Sequence, residues 1–217
     1  MPSVRKSYDE ELLQLDTLLA RMGHEAGAAI ESALTALRND DIELARSVVA
    51  RDSQIDASEH EIEHRCLQLL LRQQPEASDL RKVSTALKMV TDVERIGDQA
   101  QDISEIVTFL KGRTAEHDDI LCQMARATIS MVTESVDAFV KHDTIKAEAV
   151  LAADDTVDAY FRQVKQALIS RIAADPADGE YALDLLMIAK YFERIGDHAT
   201  NIAEWVIFSI TGRHKEG

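Results

Sequence analysis

The sequence predicts an all-α protein made of two tandem, pseudo-symmetric three-helix bundles, six long antiparallel helices in all. Three observations carry that prediction. The pentapeptide Glu94-Arg95-Ile96-Gly97-Asp98 returns ninety-nine residues later as Glu193-Arg194-Ile195-Gly196-Asp197. The chain of 217 residues is 46% hydrophobic and 5% aromatic, with only eight glycines and three prolines, which leaves little of the punctuation that strands and tight turns require. Its apolar residues also follow the helical period: Met89, Val93, Ile96, Ala100, Ile103, Val107 and Leu110 recur at spacings of three and four.

The first helix is expected over 7–38, opened by Ser7 with Glu10 at the spacing of a capping box, in which each side chain satisfies a backbone amide left free at a helix start. Asp40 with Glu43 opens a second helix over 41–73, where Ile55, Ile62 and Leu69 form a seven-residue seam. Pro75 disfavours helix in the residue before it, and a third helix over 77–111 ends at Gly112. The second half repeats the plan with helices over 116–141, 144–173 and 178–211, broken at Pro176 and closed by Gly212. The duplication extends past the pentapeptide. Leu87, Ala100, Ile103, Glu105, Val107 and Phe109 recur ninety-nine residues on, and Asp41, Ala45, Val48, Asp52, Ile55 and Asp56 align with Asp143, Ala147, Val150, Asp154, Val157 and Asp158 at an offset of one hundred and two. One supersecondary unit is therefore used twice, dividing the chain into 1–112 and 113–217.

Composition excludes several function classes. A formal charge of −15 without a Lys/Arg cluster argues against direct nucleic-acid binding. No apolar run approaches the roughly 20 residues that span a bilayer, and the charged N-terminus lacks a secretory core, so a cytoplasmic location is expected. Cys66 and Cys122 lack a metal-ligand neighbour at zinc spacing and read as buried thiols.

At 100° per residue, Glu94, Asp98 and Asp102 share one helix face opposite Ile96, and Glu193, Asp197 and Asn201 repeat it. The preceding helix of each half carries a second pair of acids four apart, Asp52 and Asp56, then Asp154 and Asp158. In a hairpin centred on Pro75, Asp56 lies nineteen residues before the turn and Glu94 nineteen after it; Asp158 and Glu193 lie eighteen and seventeen residues from Pro176. Each hairpin thus brings two acidic pairs level. Crowded carboxylates disfavour one another's ionisation, and a multivalent cation relieves the repulsion; all-oxygen donors suit hard cations such as Fe(III), Mn, Mg or Ca. Gly97 and Gly196 are expected to leave the helix surface open beside these acids. The alternative is a pair of solvated faces neutralised by Arg95 and Arg194. His198, opposite Gln99 in the repeat, reads as a surface or supporting histidine, and Trp205 as a core residue of the last helix.

These residues resemble the PhoU family of phosphate-transport accessory proteins and phosphate-signalling regulators. The resemblance runs nearly end to end, through Asp52 to Asp56 with Glu61-Ile62-Glu63, Gln73-Gln74-Pro75, Asp79-Leu80-Arg81, both Glu-Arg-Ile-Gly-Asp blocks, Asp175-Pro176, and His198-Ala199 with Asn201-Ile202-Ala203-Glu204. It implies a regulator without catalytic residues, placed between a phosphate ABC transporter, through its ATPase, and a phosphate-sensing histidine kinase. Such a regulator damps uptake and the starvation response, and is peripheral to the membrane only through these partners. It also implies homodimerisation and metal ions on the acidic motifs, multinuclear iron first, with zinc, manganese or magnesium as alternatives. Carried over residue by residue, the first metal site is Asp52, Asp56, Glu94, Asp98 and Asp102, and the second is Asp154, Asp158, Glu193 and Asp197; Asn201 stands where the first half has Asp102. Two rivals differ in class. One is a metal-independent helical adaptor that docks through its acidic faces. The other is a di-iron carboxylate oxidase, which calls for two Glu-x-x-His motifs where this chain offers Glu61 with His64 alone.

Overall fold

The structure is a computed structural model that describes residues 4–72, 76–110 and 119–213. Among the described residues six helices follow one another: α1 (Val4–Asn39), α2 (Ile42–Arg72), α3 (Ala77–Val107), α4 (Asp119–Lys141), α5 (Thr144–Ala174) and α6 (Gly179–Thr211), with a 3₁₀ turn at Pro176–Asp178 before α6. No strand occurs among the described residues. Gln73, Gln74, Pro75 and Gly112, and the expected start of the fourth helix at 116, lie outside them.

Two helix starts differ from expectation. The chain is already helical at Val4, so Ser7 lies inside α1 rather than at its cap. Asp40 does not cap α2; it adopts a left-handed conformation, φ 54°, and the carboxylate of the next residue, Asp41, accepts the Leu44 N–H at 2.9 Å. Glu43 instead pairs with Arg46 at 2.8 Å. The duplicate behaves identically. His142 has φ 51°, and Asp143 accepts the Lys146 N–H at 3.0 Å. A side-chain oxygen that satisfies an orphan amide contributes about 1 kcal/mol, and with Asp40 in the left-handed bend it is Asp41 that supplies it. At the other end of the chain the expected stop holds: Gly212 takes φ 70° and donates its N–H to the Phe208 carbonyl at 2.8 Å.

The packing follows the repeat. Helices α1, α2 and α3 form one bundle and α4, α5 and α6 another, and the two meet where α3 lies on α6 and α1 on α4. Helices α2 and α5 flank the outside, each packed on its own bundle. The third-helix stripe predicted from sequence is buried throughout, and so are Ile55, Ile62 and Leu69. The buried residues of both bundles join in one continuous apolar cluster that runs through α3 and α6. Cys66 and Cys122 are buried free thiols. Trp205 sits partly buried against this core, edge-to-face with Phe208 at 5.9 Å between ring centroids.

Candidate functional site

Both acidic faces lie on the outer hairpins, between α2 and α3 and between α5 and α6. On the first, carboxylate oxygens of Asp52, Asp56 and Asp98 fall within 4.8 Å of one another, the one such group of three among the described residues. Glu94, one turn before Asp98, keeps 17% of its side-chain surface exposed. Arg95 donates to Asp98 at 3.0 Å and brings Nε within 3.4 Å of Glu94 Oε2, yet that oxygen is buried without a hydrogen-bond partner.

The glycine between these acids has a different purpose from the one expected. Gly97 is buried, and a β-carbon there would sit 2.8 Å from Ile55 Cδ1 and 3.2 Å from its Cγ2. Its role is to let α2 approach α3, which brings Asp52 and Asp56 to Asp98. Gly196 is buried too, but a β-carbon there would make ordinary contacts, 3.6 Å to Val157 Cγ1 and 3.7 Å to Asp154 Oδ1. Asp52 and Gly97 line a cleft of about 220 Å³ between α1 and α2, whose other walls include Glu25, Ser32 and Arg51.

The electrostatics record the crowding. Burial, then the charges of Asp56 and Asp98, push the Asp52 carboxyl up to about 6. Burial and Asp98, only partly offset by Arg95, push Glu94 up to about 7. Asp102 is also raised, by burial and then Glu105 and Asp98, although the Tyr191 hydroxyl donates to it and pulls the other way. Asp102 therefore stands at the edge of the trio, tied across the bundle seam to α6.

The second hairpin gathers the same types of residue less tightly. Asp154 is raised by burial and by Asp197 and Asp158, and Asp197 by burial and Glu193. Here, however, Lys190 donates to Glu193, and the Arg162 guanidinium lies 3.8 Å from Asp158. His198 and Asn201 face away from this cluster: His198 Nδ1 shares a 2.9 Å hydrogen bond with Asp92 Oδ1, and Asn201 Nδ2 donates to the same oxygen at 3.0 Å. Asp92 is the residue that the repeat pairs with Tyr191, as Asn201 is paired with Asp102. The same two repeat positions thus meet twice across the α3–α6 seam, as Asp92 with Asn201 and as Tyr191 with Asp102. Sequence reasoning missed Asp92 and Tyr191. The available signal was their exchange of character at matched positions.

Glu61 pairs with Arg65 at 3.0 Å and His64 shares a 2.8 Å hydrogen bond with Gln68, and neither belongs to the convergent group of Asp52, Asp56 and Asp98.

The fold and its paired acidic faces define a duplicated helical-bundle protein with a carboxylate cluster on each outer helix pair. The PhoU domain, as a sequence family, matches residues 19–107 and again 121–206. The phosphate-specific transport system accessory protein PhoU homolog of Clostridium acetobutylicum is 36% identical over 216 residues, 98% of each chain. The homolog of Pseudomonas aeruginosa is 33% identical over 211 residues, 96% of this chain and 87% of that one. The crystal structure of PhoU from Pseudomonas aeruginosa superposes with a TM-score of 0.91 at 33% identity, covering 95% of this chain and 100% of that one. The phosphate transport system regulatory protein PhoU from Streptococcus pneumoniae gives 0.90 at 27% identity, covering 96% and 99%. The chain belongs to the PhoU family.

Proposed function

We propose that this protein is an accessory regulator of phosphate-specific transport, which restrains phosphate uptake and the starvation response from the cytoplasmic side of the membrane. The observation that carries the proposal is likeness over the whole chain, 36% identity across 98% of both sequences, to a relative named for that transport system. It acts as an adaptor, contacting the transporter ATPase and a phosphate-sensing histidine kinase, and its role is not catalytic. No described helix is long and apolar enough to cross a membrane, which accords with attachment through partners. In cells lacking the chain, uptake and a starvation-response reporter should both stay high in abundant phosphate and return to normal on complementation. Unchanged uptake and reporter output would end this reading.

The acidic clusters are metal sites under the same proposal. Asp52, Asp56, Glu94 and Asp98, with Asp102 at the edge, would hold a hard cation on the first hairpin, and Asp154, Asp158, Glu193 and Asp197 on the second. The donor set supports this: all oxygen, three oxygens convergent within 4.8 Å, and the buried Oε2 of Glu94 lacking a hydrogen-bond partner. Iron, manganese, zinc and magnesium are the cations to test, iron as a multinuclear cluster first. A bound cation would offset the repulsion among these carboxylates and hold α2 to α3. Elemental mass spectrometry of tag-free protein, compared with a variant carrying Asn or Gln at Asp56, Glu94, Asp158 and Glu193, tests it. More than one equivalent lost in the variant is expected, and regulation that survives in a metal-free variant would favour the metal-independent adaptor.

A further inference from the structure

The two acidic clusters are built from matched residues, but the charged groups around them differ. Around the first stand Glu59, His60, Thr91 and Asp102; the repeat places Phe161, Arg162, Lys190 and Asn201 at the matching positions. With histidine neutral, the first four carry a formal charge of −2 and the second four +2, a difference of four charges of which Asp155, beside Asp154 and opposite Ser53, takes one back. The side chains use that difference locally. Lys190 donates to Glu193, which retains only 16% of its side-chain exposure, and its ammonium lies 5.7 Å from the centre of the Phe161 ring. Arg162 is 3.8 Å from Asp158. In the first half the counterpart of Phe161 is Glu59, whose charge adds to the crowding of Glu94. The counterpart of Lys190, Thr91, is exposed and brings no charge, and His60 lies beside Glu63 at 3.9 Å. Arg95 is the first cluster's own cation, 3.0 Å from Asp98 and 3.4 Å from Glu94, while Arg194 at the matching position lies toward Asp102.

We infer that the second cluster carries two counter-ions, Lys190 and Arg162, against Arg95 alone at the first, and that the two clusters are therefore unequal: the first takes a multivalent cation more readily, the second only by displacing both side chains. The inference rests on the metal-binding proposal above. A cation entering the first cluster meets Asp52, Asp56 and Asp98 already convergent and has one guanidinium, the 53% exposed Arg95, to move off Asp98. One entering the second must break the Lys190–Glu193 pair and lift the ammonium from the face of Phe161, an interaction favoured by the ring quadrupole. An opposite charge within about 4–6 Å changes a carboxylate's affinity for a proton by about tenfold or more, and the competition with a metal ion has the same sign. Lys190 is 45% exposed, so the lower end of that range applies.

The test is equilibrium dialysis of the metal-freed, tag-free full chain against Mn(II), read by elemental mass spectrometry and by the electron paramagnetic resonance of free Mn(II). Two binding classes are expected. D56N/D98N abolishes the tighter, and D158N/D197N abolishes one at least about tenfold weaker, while K190M/R162Q tightens that weaker class by about tenfold. T91K, which places a lysine on an exposed position beside Glu94, weakens the tighter class and guards against a K190M/R162Q protein that fails circular-dichroism inspection. Equal affinities in the unsubstituted chain would overturn the inference while leaving the metal sites standing, as would T91K without effect on the tighter class. No Mn(II) bound at either cluster would overturn both.

Discussion

At the residue scale, the two glycines of the repeated pentapeptide occupy the same sequence context and different spaces. A β-carbon at Gly196 finds ordinary contacts, so Gly196→Ala should recover about 1 kcal/mol of helix propensity. At Gly97 the same β-carbon would press on both Cδ1 and Cγ2 of the branched Ile55 side chain, and overpacking of this kind costs about 1–3 kcal/mol, which cancels or exceeds the gain. Thermal denaturation should therefore raise Tm by a few degrees for Gly196→Ala and leave it unchanged or lower for Gly97→Ala, at about 2–4 °C per kcal/mol for a chain of this size. A rise for both would mean that Ile55 moves aside freely. The carboxyls of the first cluster make a second prediction. Asp52 is pushed up to about 6 and Glu94 to about 7 in the folded protein, from ordinary values of 3.8 and 4.5. Between the ordinary and the raised values the folded state binds more protons than the unfolded one, so the stability contributed is present below the ordinary values and lost as pH rises through 6 and 7. Metal-free protein should melt higher at pH 5 than at pH 8, and Asp52→Asn with Glu94→Gln should flatten that dependence in differential scanning fluorimetry.

At the element scale, the polar ties on the α3–α6 seam decide how the bundles register. Asp92 accepts from both His198 and Asn201 through one oxygen, and it is only 14% exposed. Removing that acceptor leaves two donors facing a partly closed seam, so Asp92→Ala should cost about 1–2 kcal/mol, and His198→Ala in that background should cost much less than it does alone. Equal costs for His198→Ala in the two backgrounds, measured by urea denaturation, would show that the pair does not interact. This seam also marks where sequence reasoning reached its limit. Helix number, order and core stripe were legible because the repeat and the helical period are properties of one segment at a time, and the levelling of Asp56 with Glu94 needed only residue counts to Pro75. Whether Asp40 or Asp41 caps α2 was not legible, since either aspartate can cap and the outcome turns on which residue takes the left-handed bend. Nor were the purpose of Gly97 or the partner of His198. Both depend on a side chain from another helix, Ile55 in one case and Asp92 in the other, and no spacing within α3 or α6 encodes that approach.

At the scale of the whole molecule, a duplicated sequence raises the question of whether each copy stands alone. The continuous buried cluster answers through residues such as Ile96, Ile103, Ile195 and Ile202, each 0% exposed and carried by the two helices, α3 and α6, that lie against each other. Val136 of α4 likewise comes so near α1 that a β-carbon on Gly23 would lie 2.6 Å from its Cγ2. A half cut at residue 112 would expose the apolar seam faces of two of its three helices, and burial of such surface contributes about 25 cal/mol per Å². A domain of only about a hundred residues buries a smaller share of its surface to begin with, so that loss weighs heavily against a total stability of roughly 5–15 kcal/mol. The intact chain should therefore unfold in one cooperative transition, with calorimetric and van't Hoff enthalpies in agreement. The fragment 113–217 alone should show lost near-ultraviolet dichroism or self-association. Two resolved calorimetric transitions, or a monomeric fragment with native side-chain packing, would make the halves independent domains that merely touch.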